Sequence, residues 1–83
     1  MIPEVVTLYV VPGCPLCADA RRWLESHGVA YVERDVAKDF GALRAMYRAT
    51  RQRFVPVFEY GGLSLVRPGD AELSELLLRT ENH

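Results

Sequence analysis

Eighty-three residues, 49% of them apolar and 25% charged, are enough for a single small globular core spanning 1–83, because a chain this short buries only about 60% of its unfolded surface. A formal net charge of −1 at pH 7 argues against nucleic acid or an anionic membrane as partner. Two cysteines three positions apart exclude the multi-bridge scaffold of a secreted mini-protein and would close too small a loop to staple the chain, so they read as chemistry.

Met1-Ile2-Pro3-Glu4 carries no cationic leader and no small-residue cleavage site, and the longest apolar run falls far short of the ~20 residues of a membrane span. The expectation is a cytoplasmic monomer. Val5 to Val11 is β-branched and apolar almost without interruption, which predicts a central strand buried on both faces. Pro12-Gly13 breaks it. Pro15 to Ser26 then reads as a helix, with Pro15 suited to the first turn and Gly28 to the C-terminal cap. Cys17, Ala20, Trp23 and Leu24 share its inner face, with Asp19, Arg22 and Glu25 toward water.

Val29 to Val36 predicts a second strand, and a helix between two strands in so few residues implies a parallel βαβ unit with right-handed crossover. Asp39 to about Arg51 predicts a helix with Phe40, Leu43, Met46 and Tyr47 inward and Arg44, Arg48 and Arg51 on the other side. Phe54 to Tyr60 returns to strand composition; Gly61-Gly62 predicts a type I′ hairpin into a short strand, Leu63 to Val66. Arg67-Pro68-Gly69-Asp70 ends that strand, and Gly69 or Asp70 can cap a last helix with Leu73, Leu76 and Leu77 inward. The order β-α-β-α-β-β-α gives an α/β fold, a four-stranded mixed sheet flanked by three helices.

Cys14-Pro15-Leu16-Cys17 stands where the first helix begins. Unpaired N–H groups and the positive end of the helix dipole favour a thiolate on the more N-terminal sulfur. Cys14 is therefore the expected nucleophile and Cys17 the resolving thiol. Pro56 opens an apolar strand, where proline is confined to edges or special backbone; from composition alone a trans bond is the default.

The strand, the Cys14-to-Cys17 motif, Val55-Pro56 ahead of a hairpin and the last helix introduced by Gly69-Asp70 resemble glutaredoxins and their NrdH-type relatives, of the thioredoxin fold, over nearly the whole chain. The resemblance implies a thiol-disulfide oxidoreductase, a dithiol electron carrier for protein or low-molecular-weight disulfides. It implies that Val55-Pro56 is a cis-proline element facing the dithiol, with the Val55 backbone offered to an extended substrate. It also implies substrate contacts at Phe54, an amino group received by Gly69-Asp70, and a carboxylate by Arg51 or Arg53. No cofactor is expected to be held tightly; glutathione or thioredoxin reductase is the external reductant, and disulfide-containing proteins are the partners.

Three positions depart from the glutathione-using pattern. Val11 replaces a basic residue, Phe54 the threonine before Val-Pro, and Leu65-Val66 the paired glycines, whereas Val66-Arg67-Pro68 is similar to the NrdH-type sequence. Arg44 and Arg48 read chiefly as a solvated helix face, Arg51 and Arg53 equally as a patch steering an acidic partner. Tyr9 and Trp23 read as core filling, His27 as a helix-end residue and His83 as tail. Two other functions stay open. One Cys-x-x-Cys with His27 and His83 at no usual zinc spacing expects no closed metal site, although an iron-sulfur cluster shared between subunits is an alternative. A non-catalytic interaction domain using the arginine-rich face is the other.

Overall fold

The computed structural model describes residues 5–81, so the expectations for Met1 to Glu4 and for the His83 tail lie outside the described residues. β1 (Val6–Val10) pairs in parallel with β2 (Tyr31–Asp35) and antiparallel with β3 (Val57–Tyr60), which pairs antiparallel with β4 (Leu63–Val66). The sheet order is β2-β1-β3-β4, which makes β1 an interior strand, as its near-continuous burial requires. This is a thioredoxin-like fold, with three helices added: α1 (Pro15–Ser26), α2 (Phe40–Thr50) and α3 (Asp70–Glu81).

Register decides which side chains share a face. Leu8 lies opposite Phe58, and Phe58 opposite Leu65; all three are buried and project to one side. Helix α1 covers that row through Cys17, Ala20 and Leu24, with the Trp23 ring meeting Phe58 edge-on at 6.2 Å. Leu73 of α3 joins the same surface beside Trp23 and Phe58, and Leu76 is sealed in the core. On the opposite side Tyr9 lies against Val57 in register, both buried. Ala42 and Met46 of α2, each fully buried, close that face.

Several boundaries differ from the sequence expectation, each for a local reason. Helix α2 turns Ala42 and Met46 inward, with Leu43 partly buried, while Phe40 is 75% exposed and Tyr47 43% exposed. Alanine carries little hydropathic weight, so periodicity favours the aromatic residues; the small Ala42 lets the helix sit close to the sheet and rotates them outward. Strand β2 is shorter than expected because the Val29 N–H is used at 2.9 Å by the Leu24 carbonyl in closing α1. Strand β3 begins only at Val57, since proline cannot donate to a ladder. The Val55–Pro56 peptide is cis, as the family resemblance implies and against the trans default of composition.

The hairpin turn follows its glycines, Gly61 and Gly62 both having positive φ, 51° and 86°, as a type I′ turn needs. Asp70 is the first residue of α3 and Gly69 its cap. Glu72 reaches back to accept from the Gly69 N–H at 3.2 Å, half of a capping box.

Candidate functional site

The site starts from the way β1 ends. After Val10 the chain turns through Pro12 and Gly13, whose φ of 74° is open to glycine at little cost, and Cys14 becomes the N-cap of α1 in an extended conformation. A cysteine here does what serine or aspartate usually does at a cap: its Sγ accepts the Cys17 N–H at 3.2 Å. Pro15 at the first helical position leaves no donor wasted.

The two thiols, unpaired with each other as a disulfide, are driven apart in acidity. Hydrogen bonding from the Cys17 thiol holds the Cys14 thiol below its usual 9.0. Desolvation opposes this as the next largest influence, and the Cys17 and Leu16 backbone N–H groups and the Arg67 charge each add a smaller lowering. Cys17 is 1% exposed and is pushed up to about 11, first by burial and then by its donated bond to Cys14. A half-buried sulfur of lowered pKa above a sealed thiol of raised pKa has the opposed acidities that thiol–disulfide exchange needs.

Two hollows flank the pair. One, of about 510 Å³, is lined by Val11, Cys14, Cys17, Arg21, Glu33 and Asp35 among others, and Arg21 and Glu33 form an ion pair of 2.5 Å across it. The other, of about 260 Å³, runs between Leu16, Trp23, Pro56, Phe58, Arg67 and Leu73. It is the more apolar groove. Leu16, 47% exposed, forms its rim next to the cysteines.

Arg67 joins the cysteines to the cis-proline segment. Its Nε donates to the Val55 carbonyl at 2.7 Å, its N–H to the Pro56 carbonyl at 3.1 Å, and its guanidinium lies 5.1 Å from the Phe54 ring. Its φ is 45°, a left-handed conformation uncommon outside glycine. The sequence offers Arg67 only as part of a strand-ending stretch and a subfamily likeness. Its bond to Val55, twelve positions away, is a tertiary contact that no local pattern in the residues encodes.

The residues expected to bind substrate are thus distributed unevenly. Val55 and Pro56 are buried, Pro56 in one hollow with Leu16 of the dithiol motif, and Phe54 is 56% exposed beneath the Arg67 guanidinium. The Val55 carbonyl accepts from Arg67, which leaves its second lone pair and, among the described residues, the Val55 N–H for a substrate. Gly69 and Asp70 stand at the start of α3, outside both hollows. Arg53 turns instead to Tyr47, 5.8 Å from its ring, and lines a third groove on α2. Among the described residues no group of three or more His, Cys, Asp or Glu could hold a metal ion, and no helix is long and apolar enough to cross a membrane.

Comparison with known proteins agrees with this geometry. The model of the glutaredoxin family matches residues 6–64. A glutaredoxin-like 8.6 kDa protein in the rubredoxin operon of Clostridium pasteurianum is 29% identical over 73 residues, covering 88% of this chain and 97% of that protein. Among solved structures, the thioredoxin-like protein BC3987 superposes with a TM-score of 0.74 at 26% identity, over 87% of this chain and 97% of its own. A glutaredoxin from Archaeoglobus fulgidus gives a TM-score of 0.80 at 20% identity, over 89% and 86%, a likeness of fold.

Proposed function

Since the chain belongs to the glutaredoxin family, we propose that it is a dithiol electron carrier that reduces disulfides of proteins or small molecules. The observation that carries this reading is the opposed tuning of the two thiols: Cys14 lowered and half-buried at the α1 cap, Cys17 raised to about 11 and sealed beneath it. The Cys14 thiolate attacks one sulfur of a substrate disulfide, the substrate S–S bond breaks, and the second substrate sulfur leaves as a thiolate that takes up a proton. Cys17 then loses its proton and attacks the Cys14 sulfur. The mixed disulfide breaks, the second substrate thiol departs, and a Cys14–Cys17 disulfide holds the two oxidising equivalents.

The apolar groove along Leu16, Trp23 and Pro56 suits the flanks of an extended substrate, whose backbone carbonyl would take the Val55 N–H. As external reductant we propose thioredoxin reductase in preference to glutathione. Val11, Phe54 and Leu65-Val66 lack the residues that the glutathione-using pattern calls for, and Arg53, one of the two arginines expected to receive a carboxylate, stacks on the Tyr47 ring instead. The family's redox role favours the carrier reading over the iron-sulfur alternative.

An NADPH-coupled assay with each reductant tests this. Oxidation of NADPH with thioredoxin reductase and not with glutathione and its reductase is the expected result. Cys14→Ser should abolish attack on a small disulfide, while Cys17→Ser should still form, and trap, the mixed disulfide. Turnover with neither reductant, or full activity of Cys14→Ser, would overturn the carrier reading.

A further inference from the structure

Four of the ten basic residues, Arg44, Arg48, Arg51 and Arg53, fall within ten positions, and residues 40–58 contain no aspartate or glutamate. The fold gathers these arginines, with Leu43 and Tyr47, around one groove of about 480 Å³ on the outer side of α2. Arg53 packs its guanidinium over the Tyr47 ring at 5.8 Å. The ion pairs found among the described residues are made by Arg21, Arg22, Arg34 and Arg79; the groove arginines make none there.

Helix-dipole compensation accounts for part of this. Arg48 lies in the last turn of α2 and Arg51 is its C-cap, where a cation is favourable. Arg44 sits a turn earlier and Arg53 beyond the helix, outside that explanation. Arg44 and Arg48 are also spaced i,i+4, so like charges face each other along the helix at a cost. A cluster that is unfavourable inside the molecule and uncompensated there is suited to a negative charge from outside.

We propose that this groove docks an acidic, extended segment of the disulfide-bearing protein substrate, beside the bond to be reduced. The inference rests on the carrier reading above. Its volume exceeds that of a single small anion and is within the range of a ligand several groups long, and Leu43 and Tyr47 give the arginines an apolar wall for side-chain packing. A polyanionic nucleic acid is disfavoured by the net charge of −1 and by Asp70, Glu72, Glu75 and Glu81 along α3. Arg53 precedes Phe54-Val55-Pro56 directly, so the Arg53 end of the groove adjoins the cis-proline segment, whose Pro56 shares a hollow with Leu16 of the dithiol motif.

The test uses the full chain and two measurements. The first is binding, by fluorescence anisotropy, of a redox-inert peptide with a run of glutamates around a serine, against its lysine counterpart. The second is kcat/KM for the corresponding disulfide peptides and for uncharged hydroxyethyl disulfide. The glutamate peptides should bind and turn over about tenfold better at low salt, and this preference should collapse at about 0.5 M salt and in the double variant R44E/R48E. Turnover of hydroxyethyl disulfide by that variant should be unchanged, which also shows that it folds.

Equal handling of both peptides, or a preference that survives R44E/R48E, overturns the proposal. So does tighter binding of a single-stranded RNA of equal charge, or a concentration-dependent dimer abolished by R44E/R48E. Selective binding of the inert glutamate peptide with no turnover of any disulfide would instead sink the carrier reading and leave the acidic-segment groove standing.

Discussion

Replacing Arg67 by methionine removes the donor to the Val55 carbonyl at 2.7 Å and the cation 5.1 Å from the Phe54 ring, while keeping an unbranched side chain against that ring. A hydrogen bond from a charged donor contributes about 1.5–3 kcal/mol when well shielded. Arg67 is exposed, so solvent screening reduces this to about 1 kcal/mol. The cation–π contact adds about 0.5 kcal/mol at an exposed site. Methionine inherits the same positive φ of 45°, so backbone strain cancels and the difference reports the side chain. A loss of about 1–2 kcal/mol in a domain of this size lowers Tm by roughly 5–15 °C.

The same variant tests the electrostatic link to the thiols. The Arg67 charge is one of the influences lowering Cys14, and a smaller one than the hydrogen bond from Cys17. The pH profile of Cys14 alkylation should therefore move to higher pH in Arg67→Met, and further in Cys17→Ala. Arg67→Lys separates the two roles: it keeps the charge and loses the Nε geometry, so it should melt below the wild type and somewhat above the methionine variant, with a near wild-type alkylation profile. The reasoning fails if Arg67→Met melts with the wild type, or if the lysine profile moves as far as the methionine one.

Thiol titration also sets a pH dependence of stability. Cys14 is lowered in the folded state, so its contribution grows as pH rises toward 9.0, whereas Cys17, raised from 9.0 to about 11, keeps its proton while the unfolded thiol ionises. Stability attributable to Cys17 is thus fully present below pH 9.0 and lost between there and about 11. Denaturant titrations at both ends should show a smaller alkaline loss in Cys17→Ser than in the wild type, and equal losses would contradict the assignment. The facing of α2 is tested by a pair of truncations. Met46→Ala, at a fully buried position of α2, should cost about 2–5 kcal/mol, and Phe40→Ala, at a position 75% exposed, should stay within about 0.5 kcal/mol. A comparable loss at both positions would place Phe40 in the core after all.

The seven elements, their order and the identity of the central strand were determined by the sequence alone, because each rests on signals a few residues long: the β-branched run of Val6–Val10, Pro15 opening α1, Gly61-Gly62 turning the hairpin. The dithiol was equally legible, since both cysteines lie in one helical turn and the cap position alone assigns Cys14 the exposed role. The inner face of α2 was not, because alternatives 100° apart on a helix differ only in what the sheet presents to them, and Ala42 has too little hydropathy to mark its own burial. Tertiary structure also decided the fate of the arginines. Arg67 and Arg53 look alike in the sequence, but one, at a left-handed backbone position, donates to the Val55 carbonyl, while the other stacks on Tyr47 in the α2 groove. Long side chains are placed by whatever partner the assembled fold brings within reach, and that partner is distant in the chain.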